Sequence, residues 1–494
     1  MTSKQQNQIN YLINLLGRKR SIIEQEINHS NSDQEIQSEL ESEEEEIYTN
    51  LPRKEMLEQL SSLPNWQMKK SNLTPSQYIS KTTQEQEIVT NEIIENYLNF
   101  PHCKFKQDQH LSYILKSLFA KLPSYYKSLD ANHSWMIYWL ANSFYVIKKN
   151  GNEIEKENAD ENDEKNQNEL DDETINLINQ KIESCIIENG KGGISGGKNQ
   201  LGHVASTYAG ILALILTKNY KILSAIKKNI YNWLLSLKIK INESESSFLM
   251  HKNGEYDTRS TYCVLVVATI LNIKTTELTN GVENWLLNCQ SYEGGFSGIP
   301  NTEAHGGYNF CAISSLFLLN SNPEVLKSKI KNFPRFIKWN IDRYTEEGGF
   351  NGRSNKLVDS CYSFWIGSSI SLTSVLIGFD LANKESLKNY ILRISQNNNG
   401  GFKDKPNKSI DFYHTNYTLM GLSLCEYNYK IDDKNEINEG NEVNEINDND
   451  DCLALRLIQA ESEDENSDVK FTNFINPVFG IPSEFLNQVR LANI

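Results

Sequence analysis

The chain has 494 residues, 38% of them hydrophobic, and a formal net charge of −15, which permits one large domain or two to three average ones, with a sizeable core. Its most apolar stretch, residues 208–216, is far too short to cross a bilayer, and no apolar segment follows a basic start, so neither a membrane span nor a secretory leader is expected. Eight cysteines without paired spacing argue against a disulfide framework and fit reduced thiols in the cytoplasm.

Taken in chain order, residues 1–78 are rich in Gln, Asn, Ser and Glu and lack sustained periodicity, apart from a short apolar helix candidate at 9–16. They read as a variable, largely disordered N-terminal region, followed by a folded domain over 79–494. Asn- and Glu-rich tracts at 149–173 and 430–452 read as low-complexity insertions between helices, because they offer too little apolar area to offset chain entropy. Three acidic tracts (33–46, 151–173 and 432–451) carry −25 between them, so the rest of the chain is +10. The folded part is therefore basic, which suits an anionic substrate.

Between the insertions lies a repeat. Gly294-Gly295-Phe296 recurs as Gly348-Gly349-Phe350 and Gly400-Gly401-Phe402, 54 and 52 residues apart, and a degenerate copy, Gly192-Gly193-Ile194, stands two periods earlier. A missing middle copy is expected near residues 248–255, where Asn253-Gly254 marks a turn. A helical pattern precedes each glycine pair (Val282, Trp285, Leu286, Cys289) and another follows it (Tyr308, Cys311, Ala312, Leu316). Each unit is thus helix, glycine turn, helix, and the fold class is all-α. Periodicity alone leaves open whether the pairs stack as a solenoid or close into a ring.

Polar residues concentrate after the glycine turns, at helix N-termini, where backbone donors and the dipole favour anions. Two constellations carry chemistry. Asp359, Cys361 and His414 offer a carboxylate, a thiolate and an imidazole, three ligands that leave a fourth position open for catalytic zinc. His305, Arg353, Lys356 and Lys408, with tyrosine hydroxyls such as Tyr362, could converge on phosphate oxygens.

Ordered blocks give these residues a context: Asp257-x-Arg259-Ser260-x-Tyr262-Cys263, Glu303-Ala304-His305-Gly306-Gly307-Tyr308, the run from Gly352-Arg353 through Lys356 and Asp359-x-Cys361-Tyr362 to Trp365, and the run from Asp404-Lys405 to His414. With them the sequence resembles the protein prenyltransferase β subunits, from about Thr82 to its end and excluding the two insertions. The resemblance implies an α–α barrel (toroid) of two concentric helical rings. It implies a catalytic set of Asp359, Cys361, His414, Tyr362 and Lys356, with the first three holding one Zn2+ that binds the acceptor cysteine of a C-terminal CaaX sequence as a thiolate. His305, Arg353, Lys356 and Tyr362 would hold the prenyl diphosphate, Trp365, Tyr262, Trp135 and Tyr308 its prenyl chain, and Trp135, Trp139, Arg259 and Tyr413 the peptide. Tyr208 and Tyr417 complete the expected aromatic wall. Asp404 would serve Mg2+ at the diphosphate.

The family also implies a separate α subunit that contributes a lysine, CaaX-terminated proteins as acceptors, a cytoplasmic location and no nucleic-acid partner. Within it, Trp135, Asp404 and Tyr413 point to farnesyl diphosphate as donor rather than the longer geranylgeranyl donor of type I enzymes. Two remoter readings are a terpene cyclase, for which Asp448-Asn449-Asp450-Asp451 matches the acid motif literally, and a non-catalytic repeat scaffold.

Overall fold

The computed structural model describes residues 80–99, 104–122, 124–148, 169–432, 452–460 and 469–492. The helix candidate at 9–16 and the Asp448–Asp451 motif lie outside them. Six inner helices and six outer helices alternate along the described chain. The outer ones are α1 (Gln107–Phe119), α3 (Asp172–Glu183), α5 (Tyr220–Ser236), α7 (Val282–Asn288), α9 (Phe333–Ile341) and α11 (Lys384–Tyr390); the inner ones are α2 (His133–Val146), α4 (Val204–Leu216), α6 (Thr258–Ile270), α8 (Gly306–Leu319), α10 (Tyr362–Ile377) and α12 (Phe412–Glu426).

Burial explains which ring each helix joins. Outer α5 buries one stripe, Leu223, Ile226, Ile230 and Leu234, as an amphipathic surface helix does. Inner α4 buries nearly every residue from Val204 to Leu216, so it must have protein on all sides. The inner helices pack in the order α2, α4, α6, α8, α10, α12, and α12 returns to α2. At that closure Asn142 on α2 donates to Asn416 on α12 at 2.9 Å. The ring is therefore closed, and the solenoid alternative falls.

Every glycine turn is a small antiparallel hairpin: Ile186 bridges Ile194, Gln290 bridges Phe296, Tyr344 bridges Phe350 and Gln396 bridges Phe402. Gly294 sits at φ +108°, and a Cβ there would lie 2.4 Å from the Arg335 carbonyl oxygen, so the turn admits only glycine. The middle copy differs from expectation. Its hairpin is Lys238–Lys240 with Ser246–Phe248, and Lys238 pairs with Phe248, so Phe248 takes the place of Phe296 and Phe350 without a glycine pair. Asn253 belongs to a second turn, at φ +62°, and Asn199, Asn301, Asn355 and Asn407 repeat it at φ +59° to +65°.

The edges of both insertion ranges belong to the fold. Asp171 caps α3 by accepting from the Thr174 N–H at 2.7 Å, and residues 430–431 pair with Ile458 and Leu457. The C-terminal segment closes the far end of the barrel. Carbonyls of Pro477, Val478, Phe479 and Gly480 accept from Ser368, Tyr262, Tyr208 and Tyr138, on α10, α6, α4 and α2, at 2.6–3.2 Å. Four buried carbonyls are satisfied in this way by four helices.

Candidate active site

The outer-turn-inner order sends all inner helices the same way, so their N-termini meet at one mouth. A cavity of about 900 Å3 opens there, lined by residues from the first turns of all six, among them Asn132, His203, Asp257, His305, Tyr362 and Tyr413.

Its wall is a closed aromatic girdle. Successive ring centroids lie 4.3–5.7 Å apart around Trp139, Trp135, Tyr208, Tyr262, Phe310, Trp365, Tyr417, Tyr413 and back to Trp139. Each inner helix contributes at least one ring. Such a wall presents large apolar area with little rotamer freedom. Phe310, which is fully buried, was not expected here and Tyr413 was expected against the peptide; the others were expected on the wall, and they, Tyr413 and Tyr308 line the cavity. The hydroxyls turn away from the apolar space: Tyr208 and Tyr262 stand 3.2 Å apart and donate to the C-terminal carbonyls.

One side of the mouth suits an anion. His305 caps α8, its Nδ1 accepting from the Gly307 N–H at 3.1 Å. Burial and the Arg353 charge hold its pKa below the usual histidine value, so the ring is neutral and its proton sits on Nε2. That nitrogen meets the Tyr362 hydroxyl at 3.1 Å and donates to it, leaving the Tyr362 O–H free to donate outward. Burial raises the Tyr362 pKa, so the hydroxyl stays protonated. Arg353 reaches the same rim and pairs with Glu303 at 2.6 Å. Gly352 makes room for Tyr362, because a Cβ there would lie 2.1 Å from the ring and hydroxyl. Lys356, expected in this group, is exposed and outside the cavity lining; Asn351 donates to its backbone carbonyl at 3.2 Å.

Next to it, past Tyr362, the rim suits a cation. Single donor atoms of Asp359, Cys361 and His414 lie within 4.8 Å of one another, and His414 Nε2 is 3.3 Å from Asp359 Oδ1. Asp411 orients the imidazole, accepting the Nδ1 proton at 2.6 Å while its other oxygen caps α12 at the His414 N–H. A carboxylate behind a ligating histidine fixes the tautomer that leaves Nε2 for a metal. Burial disfavours charge on both His414 and Asp359, yet their mutual contact, with Asp411 also facing the imidazole, outweighs it, raising the imidazole pKa and lowering the carboxyl. Burial and Asp359 push the Cys361 thiol up. The three donors are not among the residues that line the cavity, whereas their sequence neighbours Tyr362 and Tyr413 are.

Asp404 lies beside this cluster. Burial and the Asp359 charge raise its pKa, opposed by the Lys405 ammonium on Oδ2, and its Oδ1 is buried without a hydrogen-bond partner. Arg259 is bound by Asp257 through contacts of 2.6–3.1 Å and lies 5.3 Å over the Tyr308 ring. Sequence reasoning missed the capping residues His203, Asp257 and Asp411. Their common offset before an apolar helix was the available signal.

The prenyltransferase alpha-alpha toroid domain family matches residues 105–455. A protein farnesyltransferase subunit beta of Schizosaccharomyces pombe is 36% identical over 346 residues, covering 67% of this chain and 81% of that protein. One of Saccharomyces cerevisiae is 35% identical over 416 residues, covering 83% and 85%. Among solved structures, Candida albicans protein geranylgeranyltransferase-I complexed with GGPP aligns over 78% of this chain and 98% of that one, with a TM-score of 0.57 and 23% identity, a likeness of fold alone. With a toroid match over most of its length and relatives of this identity and coverage, the chain belongs to the protein farnesyltransferase β-subunit family of prenyltransferase toroids.

Proposed function

We propose that this chain is the catalytic β subunit of a cytoplasmic protein farnesyltransferase, moving farnesyl from farnesyl diphosphate to the cysteine thiol of C-terminal CaaX sequences. The observation that carries the reading is the Asp359–Cys361–His414 donor cluster beside an aromatic cavity whose adjoining rim, at His305, Arg353 and Tyr362, is built for an anion. The donor set, with Nε2 held free by Asp411, fits zinc. When bound, zinc supplies a cationic centre that lowers the pKa of an incoming thiol.

The residues of the chain do the rest. The girdle shields the prenyl chain from water. Arg353, the Tyr362 hydroxyl and His305 hold the diphosphate and stabilise the charge that builds on it as the C1–O bond breaks. Glu303 releases Arg353 to the incoming phosphate, an exchange of one anion for another at a half-exposed site. Trp135, Trp139 and Tyr413 form the face available to the peptide, with Arg259 towards its carboxylate. Asp404, with one orphaned oxygen, would add a hard ligand for Mg2+ at the diphosphate. Lys356 would reach the diphosphate only by swinging in from solvent.

A prenyltransferase α subunit completes the site as a heterodimer; exposed apolar side chains at the rim, Tyr256 and Ile299, with Tyr292 nearby, support a partner surface. Seven free cysteines among the described residues support a reducing compartment. The described residues from Gln107 onward form the catalytic barrel.

The test is co-expression with a candidate α subunit, then metal analysis and transfer assays. The expected result is about one zinc per heterodimer, lost in His414→Ala, and preferred transfer of farnesyl over geranylgeranyl to CaaX peptides. Stoichiometric zinc surviving His414→Ala would remove that residue from the site; equal use of both donors would remove the farnesyl assignment.

A further inference from the structure

The zinc ligands come from two different repeats. Asp359 and Cys361 precede α10, whereas His414 sits in α12, so the ligand spacing depends on what fixes the fifth repeat against the sixth. Inside the barrel the link is short. Asp404 O accepts from the Ser360 N–H at 3.0 Å and from the Tyr390 hydroxyl at 3.1 Å, and Ser360 Oγ donates to Lys403 O at 2.9 Å.

A second link lies outside the barrel. Helix Lys81–Asn99 precedes the segment matched by the toroid family and belongs to neither ring. Its buried residues Ile93 and Tyr97 form a small hydrophobic cluster, separate from the main core, with Val358, Tyr390 and Ile394. Val358 is the residue immediately before the ligand Asp359, and Tyr390 is the residue whose hydroxyl holds Asp404 O.

The helix also grips both repeats through polar contacts. Towards the fifth, Tyr97 Oη donates to Glu347 O at 3.1 Å, and Thr90 Oγ1 donates to the Glu347 carboxylate, beside the Gly348-Gly349 turn. Towards the sixth, Arg393 Nη2 donates to Tyr97 O at 2.6 Å, with its guanidinium 4.4 Å over the Tyr97 ring, and Asn407 Nδ2 donates to Glu92 Oε1 at 2.8 Å.

We propose that helix Lys81–Asn99 is an external clamp that sets the spacing of the two ligand-bearing repeats, with Ile93 and Tyr97 as positioning residues for the zinc site. The inference rests on the zinc reading above. A helix that served general stability would pack on the main core; this one packs on the ligand loop and its immediate support. Loosening it leaves all three ligands present but lets the Val358-Asp359 segment drift from His414, so the metal should leave faster while the rest of the barrel stands.

The test uses the αβ heterodimer purified with zinc. Release of zinc to a chromogenic chelator is timed for the parent, for Ile93→Ala/Tyr97→Ala, for the milder Ile93→Val and Tyr97→Phe, and for a control, Ile230→Ala, in the outer helix α5 far from the ligands. Melting temperatures are recorded throughout, and each protein is reloaded with Co2+ to read ligand geometry from its visible d–d bands. The clamp predicts zinc release at least tenfold faster in the double variant, two- to threefold in the mild ones, and parental in the control at a comparable melting loss. Shifted Co2+ bands in the clamp variants alone support it further. If the clamp variants release zinc no faster than the control, or in proportion to melting loss alone, the clamp is overturned. Should the double variant fail to fold, the mild pair decides. A parent without zinc would overturn the zinc assignment itself, an outcome separate from failure of the clamp.

Discussion

His110 offers a quantitative check of the ring closure. It is fully buried in α1, where Nδ1 accepts from the Gly401 N–H at 3.0 Å, Nε2 meets Gln396 Oε1 at 2.9 Å, and the ring stacks on Phe402 at 4.4 Å. First and sixth repeats are thereby joined through a neutral imidazole. Burial, with the Lys106 charge, lowers its pKa from 6.5 to about 4, against the hydrogen bond to Gln396. Between those two values the unfolded chain binds a proton that the folded chain refuses, so stability is lost as pH falls through that window. From pH 8 to pH 5 the loss from this one group is about 2 kcal/mol. With an unfolding entropy of about 0.8 kcal/mol/K for a fold of this size, that is about 2–3 °C in melting temperature. His110→Asn keeps an acceptor for the Gly401 N–H and does not titrate. Melting temperatures of the two heterodimers at pH 8 and pH 5 give the comparison, and all other titrating groups cancel between them. The parent should fall 2–3 °C further than the variant; parallel falls would refute the reasoning.

Three perturbations address the site. Trp135→Thr removes an indole from the girdle, and the ratio of kcat/KM for geranylgeranyl over farnesyl diphosphate should rise about tenfold or more; an unchanged ratio means Trp135 does not limit donor length. Asp411→Asn weakens the acceptor behind His414 Nδ1, so zinc affinity by chelator competition should fall about 10- to 100-fold, and parental affinity would leave Asp411 as a helix cap only. Gly352→Ala drives a methyl into the Tyr362 ring, which should raise the KM for the diphosphate donor about tenfold while zinc content stays parental; a parental KM would show that Tyr362 does not hold the donor.

Much of this was legible in the sequence because repeats leave a double trace. The Gly-Gly-Phe period fixed where the hairpins fall, and the apolar runs after them gave the inner helices. What stayed hidden has physical causes. The middle hairpin pairs three residues on each strand where the others make a single bridge, and its turn at 241–245 has no positive-φ residue, so it needs no glycine pair. The repeated positive-φ asparagine escaped because Asn is common throughout this chain, so its period has no contrast. Closure of the ring depends on Asn142 meeting Asn416 across 274 residues, which no local pattern encodes. Helix Lys81–Asn99 carries few buried residues, only Ile93 and Tyr97, and so lacked the apolar stripe that would announce it. Lys356 was expected by its place in a block, but a long exposed side chain takes its position from a ligand rather than from the fold.

The distribution of charge around the mouth follows from how each inner helix is capped. Six N-termini face one opening, and each dipole by itself attracts an anion. A diphosphate and a divalent cation can share that rim only if the caps differ. At α12 the cap is a carboxylate, Asp411, which also turns His414 so that its Nε2 faces Asp359; the dipole there is already answered, and a cation fits. At α8 the cap is a neutral histidine, whose Nδ1 takes the backbone proton and whose Nε2–H passes outward through Tyr362; donor capacity is left over, and an anion fits. At α6 the carboxylate Asp257 is bound by Arg259, which leaves a guanidinium at the rim. Side-chain caps before α8 and α12 thus favour an anion site and a cation site next to each other at the mouth of one apolar cavity, with His at the first cap and Asp at the second.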